Sequence, residues 1–302
     1  MKRVRYMRRV LLLLVTILLL AGCEQVSDSP ALRIGYMNCN NTEETLRRFL
    51  PLTRYMEKKL GVRLEAVPVD TQEFDERFGK EKFAFTHTNS LLYVMLKKDH
   101  ALQLMAADKR GNYGSRTAGT IISRKGSGID KLEDIRGKRM GFGPQMAPTG
   151  YLAQYDLMLR EGIDPEKDLA YYGIPHGSFK HEKVIYGVYF GKYDVAAAPA
   201  LDLEIMVREG KISADDFNIL AQSPTIPYCT FGSADDTDPA LVKKFRQALM
   251  DLTPEDTVEI DGEQVKVLKA AWVDGFEQLT DADYDPIREM AKRANMPPYQ
   301  QY

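Results

Sequence analysis

The sequence contains few of the side chains on which metal centres and disulfide scaffolds depend. Among 302 residues there are three cysteines, four histidines and one tryptophan. Three cysteines cannot hold a disulfide-rich scaffold together. The pair His181-Glu182 does not continue into a zinc-protease helix, because Ile185 stands where the second histidine belongs. A metal site built from His87, His176 and His181 stays open, but no paired spacing supports it, and we predict neither a metal nor a cofactor.

The sequence also lacks the local motifs of the commonest enzyme classes. It has no Gly-x-Ser-x-Gly turn and no Gly-x4-Gly-Lys-Ser/Thr phosphate loop. Gly141-Phe-Gly143 is not a dinucleotide loop, since Met146 stands in place of the third glycine. We therefore predict no catalytic residues and no enzymatic activity. A hydrolase acting on an anionic ester is the weaker alternative, and it would need an activated nucleophile.

The N-terminal apolar run is too short to span a membrane. It covers 10–20, which is 11 residues, whereas a membrane helix needs about 20. It follows five basic side chains and ends in Leu20-Ala-Gly-Cys23, which resembles the signal of bacterial lipoproteins. The resemblance implies a signal peptide at 1–22, a lipid on the Cys23 thiol, a polar linker at 23–30, and a lipid anchor on the periplasmic or extracellular face of a bacterial membrane. An uncleaved membrane anchor is the alternative.

The chain has no excess of positive charge. Loss of residues 1–22 removes five of the 41 basic side chains, which leaves 36 against 43 acidic ones and a balance of −7. Because no basic stripe appears, we exclude nucleic acid as a partner. Two cysteines, Cys39 and Cys229, remain after this loss. They either pair, as cysteines of exported proteins can, or stay free.

Short strands and helices alternate along the remaining chain. Asn41-Thr-Glu-Glu44 has the pattern of a capping box and opens a helix that ends at Gly61. A strand over 83–86 is followed by the capping residues Thr88, Asn89 and Ser90 at the start of an apolar helix. This alternation predicts an α/β fold with a mostly parallel sheet. Ligands of such sheets bind beyond the carboxyl ends of the strands.

A second strand-to-helix turn lies in the middle of the chain. The pattern predicts a strand over 139–142, a Gly/Pro-rich loop, and a helix over 151–159 with Thr149 as its N-cap. The amides of Thr149, Gly150 and Tyr151 would lack helical partners, and the helix dipole would add positive potential. Such a turn is suited to an anion, although an ordinary capped helix is the alternative.

Seven short motifs follow one another in order along the chain. They are Gly119-Thr-Ile-Ile-Ser-Arg124, Ser127-Gly-Ile-Asp-Lys-Leu-Glu-Asp-Ile-Arg-Gly-Lys138, Thr149-Gly-Tyr-Leu152, His181-Glu182, Gly191-Lys-Tyr-Asp-Val-Ala-Ala197, Trp272-Val-Asp-Gly-Phe276 and Asp283-Tyr-Asp-Pro-Ile-Arg288. Together they resemble the motifs of one family, the phosphate/phosphonate-type (PhnD-like) substrate-binding proteins of ABC transporters. The match covers nearly the whole chain after the signal.

This resemblance implies a type II periplasmic-binding-protein fold of two α/β lobes joined by a two-strand hinge. Lobe one would hold 31–118 and 230–302, and lobe two would hold 119–229. Crossing strands near 118–123 and 224–231 would form the hinge. A monomer of this kind would capture a small polar, anionic ligand in the interlobe cleft and close on it to dock on an ABC permease. A lipoprotein that senses a non-phosphonate ligand and signals to a membrane receptor or kinase is the alternative.

The candidate binding residues come from both turns and from the resemblance. The family's anion loop carries hydroxyl residues where this chain has Ala147 and Pro148, so two donors are absent and the usual ligand of the family is in doubt. The resemblance puts His181 in the cleft as a donor. Aromatic side chains and one carboxylate near the strand ends complete the set, the carboxylate either meeting a cationic group or remaining solvated. The predicted ligand-binding residues are Thr149, Gly150, Tyr151, Thr88, Asn89, Ser90, His181, Tyr36, Tyr113 and Asp202.

Overall fold

Two β-sheets covered by helices form the protein in a computed structural model, which describes residues 30–301. The predicted signal peptide and the Cys23 lipidation site lie outside the described residues. Within the described part, no helix combines the length and the apolar character that a membrane crossing requires.

The first sheet has six strands, and its spatial order is β15-β4-β12-β3-β1-β2. Its strands are β1 (Leu32–Asn38), β2 (Leu64–Asp70), β3 (Phe85–Thr88), β4 (Gln103–Lys109), β12 (Thr230–Ser233) and β15 (Gly275–Glu277). β1 lies between β2 and β3 and is parallel to both. β12 runs antiparallel to its neighbours β3 and β4.

The second sheet has five strands and repeats this arrangement, in the order β10-β6-β9-β7-β8. Its strands are β6 (Gly119–Arg124), β7 (Arg139–Gly141), β8 (Tyr171–Gly173), β9 (Val195–Pro199) and β10 (Phe217–Gln222). β7 is parallel to β8 and β9, while β6 is antiparallel to β9 and β10. The expectation of a mostly parallel sheet is confirmed, with one antiparallel inner strand in each sheet, β12 and β6, and an antiparallel edge strand, β15, in the first. β6 and β12 run antiparallel because they are the strands by which the chain enters from the opposite lobe.

The two sheets are connected by a short antiparallel pair. β5 (Arg116–Thr117) pairs with β11 (Ile226–Pro227), and Tyr228 N donates to Ser115 O at 2.9 Å. The expected single extended segment over 224–231 is thus divided into β11 and β12. A separate hairpin, β13 (Thr257–Ile260) and β14 (Glu263–Lys266), turns at Asp261-Gly262.

Ten α-helices occur in the described part of the chain, and their predicted ends are largely confirmed. They are α1 (Thr42–Leu60), α2 (Phe74–Lys80), α3 (Ser90–His100), α4 (Ala153–Arg160), α5 (Pro165–Asp168), α6 (Lys180–Tyr189), α7 (Ala200–Arg208), α8 (Pro239–Met250), α9 (Val267–Ala271) and α10 (Asp285–Arg293). Asn41 caps α1 by accepting from Glu44 N, and Gly61 ends it in the left-handed conformation at φ 68°. Asn89 caps α3 by accepting from Leu92 N.

The start of the middle turn differs from the prediction. A π-helical turn, Pro148–Leu152, precedes α4, and its N-cap is Ala147 rather than Thr149. Pro148 suits the first helical position because it has no N–H to satisfy there. Thr149 consequently lies inside the turn, where its carbonyl accepts from Gln154 Nε2 at 2.6 Å.

The hydrophobic core connects the two lobes. One cluster of buried side chains joins α3, α4 and α10 and includes Leu92, Met158 and Met290. A second cluster fills the opposite face of the first sheet beneath α1, α8 and α9. Since α10 packs on both α3 and α4, the C-terminal segment contacts lobe two as well as lobe one.

Candidate functional site

A cavity of about 730 Å³ opens between the two sheets, where strands of both lobes end. Its position agrees with the rule that places ligands beyond the carboxyl ends of parallel strands. Residues of the walls that matter for its chemistry are Asn38, Cys39, Asn40, Arg48, Asn89, Ser90, Arg110, Thr149, His181, Asp202, Tyr228, Cys229 and Trp272.

Hydrogen bonds join the two lobes across this cleft. Asn89 Nδ2, at the start of α3, donates to the carbonyl of Met146 at 3.0 Å. Asn40, which follows β1, accepts from Phe179 N at 2.7 Å through its side chain and from Ser178 Oγ at 3.3 Å through its carbonyl. The structure thus brings the two predicted strand-to-helix turns together, with the lobes in contact across the cleft.

His181 lies in the cleft wall in a cradle formed by two glycines. A Cβ on Gly150 would lie 2.2 Å from Cε1 of the His181 ring, and a Cβ on Gly143 would lie 2.6 Å from its Nδ1. Gly143 N also donates to Gly150 O at 2.8 Å, which fixes the two glycines relative to each other. Burial lowers the pKa of His181, and Asp202 acts in the opposite direction. The imidazole is therefore neutral at neutral pH, with one ring N–H to donate.

The structure explains why residue 150 is a glycine, which the sequence alone does not reveal. In the structure the space that a Cβ would take is filled by the imidazole of His181. Gly150 therefore allows close packing of the histidine.

Of the three amides proposed for the middle turn, that of Tyr151 is engaged within the turn itself. Tyr151 N donates to Ala147 O at 3.1 Å, so its N–H is used within the turn. The Tyr151 side chain points into lobe two and is 5 % exposed. Its ring contacts Phe142 at 4.8 Å and Tyr155 at 5.6 Å between centroids. Thr149 lines the cleft, and Tyr151 does not.

The residues predicted from lobe one divide into cleft and core. Asn89 and Ser90 line the cavity, whereas Thr88 is fully buried. Tyr36 is 1 % exposed, and its hydroxyl shares a hydrogen bond of 2.9 Å with Thr53 Oγ1. Tyr113 lies in a short 3-10 turn, 111–113, of which Gly111 rather than the tyrosine reaches the cavity.

Two arginines of the cleft were missed by the sequence reasoning. Arg48, on α1, has its guanidinium 4.3 Å from the centre of the Trp272 ring and donates to Ala271 O at 3.0 Å. Arg110, just after β4, donates to Tyr228 Oη at 3.1 Å. No local motif marks either residue, because the fold alone brings the two segments together.

The cleft also holds acidic and thiol groups. Asp202, at the start of α7, opposes the lowering of the His181 pKa by burial, which remains the larger effect. Glu182, next to His181, is paired with Lys211 at 3.3 Å. Cys39 and Cys229 both line the cavity and are free thiols, which answers the question that the sequence left open.

Comparisons with known proteins point to one family. A family model described as "ABC transporter, phosphonate, periplasmic substrate-binding protein" matches residues 34–284. The tetrathionate sensor histidine kinase TtrS of Salmonella typhimurium (strain LT2) is 27 % identical over 197 residues, which is 64 % of this chain and 33 % of the kinase. The chain therefore spans about a third of the length of this curated relative.

Solved structures share the fold. PhnD1 from Prochlorococcus marinus (MIT 9301), in complex with methylphosphonate, matches with a TM-score of 0.71 and 14 % identity, covering 88 % of this chain and 98 % of that protein. A binding protein component of an ABC phosphonate transporter from Pseudomonas aeruginosa matches with a TM-score of 0.69 and 19 % identity, covering 89 % and 87 %. These matches confirm the predicted α/β binding-protein fold. The chain belongs to the family of periplasmic phosphonate substrate-binding proteins of ABC transporters.

Proposed function

We propose that the chain is an extracytoplasmic solute-binding lipoprotein that captures a small anion in the interlobe cleft and delivers it to an ABC permease. The observation that carries the proposal is the pair of arginines, Arg48 and Arg110, in the wall of a cleft of about 730 Å³. Guanidinium groups donate several hydrogen bonds in a fixed plane and favour phosphonate-like oxyanions. The altered loop lacks two hydroxyl donors at Ala147 and Pro148, and the two guanidinium groups provide charged donors in their place.

Donors from both lobes are available to one ligand. Lobe one contributes Arg48, Arg110 and the Ser90 hydroxyl, whose oxygen has no partner in the described structure. Lobe two contributes the Thr149 side chain and the His181 ring. A ligand that contacts both lobes stabilises their closed arrangement, because only that arrangement offers all of its partners.

Asp202 indicates which chemical groups the ligand carries besides its anionic end. Its carboxylate lies near the His181 ring and lines the same cavity. A ligand with a cationic group beside its anionic end, such as an aminoalkylphosphonate, would satisfy Asp202 as well as the arginines. Asp202→Asn should therefore weaken the binding of an aminoalkylphosphonate more than that of a simple alkylphosphonate.

The anchor and the partner complete the proposal. A lipid on Cys23 would hold the monomeric binding domain on the periplasmic or extracellular face of the membrane, near its permease. Cys23→Ser should release the protein from the membrane fraction. Mass spectrometry that finds an unmodified Cys23 in membrane-extracted wild-type protein would contradict the anchor.

A thermal-shift screen tests the binding function. The full chain, purified in a mild detergent, would be heated with phosphate, methylphosphonate, an aminoalkylphosphonate, an alkylsulfonate and tetrathionate, with choline and a neutral sugar as controls. A ligand at about 100 times its Kd stabilises the native state by about 2.7 kcal/mol. We expect an upward shift with at least one anion and none with the controls. A shift with the controls alone would overturn the proposal.

The likeness to TtrS supports a second candidate function. That relative is a sensor histidine kinase, so the same cleft would sense its ligand and signal to a membrane receptor or kinase, without transport. The two functions predict different ligand ranks and different partners. Stabilisation by tetrathionate above methylphosphonate, together with co-purification of a kinase, would favour sensing. Preference for a phosphonate and co-purification of a permease would favour transport.

A further inference from the structure

The first sheet brings three metal-binding side chain types onto one face. His87 on β3 pairs with Phe231 on β12, and Phe231 pairs with Ala106 on β4. Residues two positions along a strand point to the same face, which adds Cys229 beside Phe231 and Asp108 beside Ala106. The Asp108 N–H donates to the Cys229 carbonyl at 2.8 Å, so these two residues are direct neighbours. A histidine, a carboxylate and a thiol therefore converge by strand register.

The distances between the three side chains suit a shared ligand. One donor atom of each, a His87 ring nitrogen, an Asp108 carboxylate oxygen and Cys229 Sγ, lie within 4.8 Å of one another. His87 Nε2 is 2.9 Å from one oxygen of Asp108. Ligands of a tetrahedral zinc ion are separated by roughly 3.2–3.8 Å, given bond lengths of about 2.0–2.3 Å. Small side-chain movements would bring the three atoms to that geometry.

An unsatisfied polar atom at the cluster indicates a missing partner. His87 is 3 % exposed and Asp108 is 1 % exposed. Nevertheless Asp108 Oδ1 has no hydrogen-bond partner in the described structure. Buried polar atoms are normally bonded, and leaving one unpaired costs about 1–3 kcal/mol. Hydrophobic packing holds the ring in place, with Phe49 and Phe231 each at 4.6 Å between ring centres.

We propose that His87, Asp108 and Cys229 form a binding site for a divalent transition metal, with Zn²⁺ as the ion that fits the donor set. An imidazole, a carboxylate and a thiolate are all zinc ligands, and the last two neutralise its charge. Three protein ligands leave a fourth position open. Cys229 lines the interlobe cavity, so the ion enters from the cleft and its open position faces the cleft.

The Cys229 thiol must lose its proton to bind a metal, because the thiolate is the ligand. Zinc would displace that proton, because a coordinating thiol is deprotonated. The site depends on none of the turn residues proposed to hold the anion, so its test is independent of the proposed function.

Metal titration of the full chain, purified in a mild detergent and freed of metal by a chelator, tests the site. Calorimetry with Zn²⁺ alone should give one site, and Co²⁺ should give the charge-transfer absorption of a cobalt–thiolate bond. Cys229→Ser should abolish that absorption and weaken Zn²⁺ binding at least tenfold, since even a residue that only supports a ligand costs 10- to 100-fold. Asp108→Asn should weaken binding while the absorption persists at higher Co²⁺.

A matched control separates this site from adventitious binding. His100 and Asp75 form a second histidine–carboxylate pair, at 3.1 Å, on the protein surface. His100→Ala should leave the Zn²⁺ affinity and the cobalt–thiolate absorption unchanged. Circular dichroism confirms that each variant is folded before titration. Folded wild-type protein without the cobalt–thiolate absorption, or a Cys229→Ser variant that binds Zn²⁺ as the wild type does, would overturn the proposal.

Discussion

Replacing Gly150 by alanine tests whether the glycine is there to accommodate His181. The added Cβ would lie 2.2 Å from Cε1 and 2.5 Å from Nδ1 of the imidazole, well inside van der Waals contact. The ring must move out of its cradle, and overpacking of this kind typically costs about 1–3 kcal/mol. The φ of Gly150 is not in the left-handed region, so the alanine itself introduces no backbone strain.

A double-mutant cycle isolates this contact. In a His181→Ala background the space is empty, and Gly150→Ala should be neutral or stabilise the turn by up to about 1 kcal/mol, as alanine does in helices. The free energies of unfolding of the wild type, both single variants and the double variant would be measured by urea denaturation followed by circular dichroism. The interaction energy between the two positions should be about 1–3 kcal/mol.

Ligand affinities of the same four proteins test whether the packing of His181 against Gly150 is needed for ligand binding. Once an anion is identified, Gly150→Ala should weaken its binding about as much as His181→Ala does, roughly five- to 100-fold for the loss of one hydrogen bond worth about 1–3 kcal/mol. The double variant should bind no more weakly than the single ones. An alanine at 150 that costs the same stability with and without the imidazole would refute the reasoning.

Three further predictions concern pH, an ion pair with one buried partner and the contact between lobes. Because the pKa of His181 is lowered in the folded protein, the unfolded chain binds the proton more tightly. The thermal stability of the wild type should therefore fall as the pH falls from about 7.5 to about 5.5, and that of His181→Gln should fall less, as measured by thermal melts. Arg293→Ala should lower the free energy of unfolding by about 2–4 kcal/mol in urea denaturation, because Arg293 Nε is 2.6 Å from Asp156, which is 1 % exposed. Adding Asp156→Asn should recover most of this loss, and additive effects of the two substitutions would contradict the pairing. Asn40→Ala removes the bond to Phe179 N, so ligand affinity should fall by about fivefold in calorimetry, and an unchanged affinity would show that this contact does not stabilise closure.

The fold follows from local patterns that are strong in this sequence. Capping residues such as Asn41 and Asn89 and the glycine at 61 determine helix ends through nearby backbone groups, so they can be recognised without tertiary structure. The strand–helix alternation gives the α/β class for the same reason. The antiparallel β6 and β12 could not be predicted this way, because a strand's direction depends on the lobe from which the chain arrives.

The site was only partly predictable for a related reason. His181, Asn89 and Thr149 lie at motifs, and all three line the cleft. Tyr36 stands near the end of β1 and Tyr151 in the turn before α4, but both side chains point into the cores, which sequence periodicity over so few residues does not decide. Arg48 and Arg110 are 62 positions apart, and neither stands in a motif, so their proximity to one cleft appears only in the folded chain.

Calorimetric titration of the best anion from the screen into arginine variants tests the central claim most directly. Arg48→Gln and Arg110→Gln each remove a charged donor from the cleft, worth about 1.5–3 kcal/mol, or roughly 10- to 150-fold in affinity. Arg47→Gln is the matched control, since Arg47 is the exposed neighbour of Arg48 on the same helix. We predict one binding site in the wild type, losses of this size in the two cleft variants, and an unchanged affinity in the control. Cleft variants that bind the anion as tightly as the wild type would contradict an anion site between the lobes.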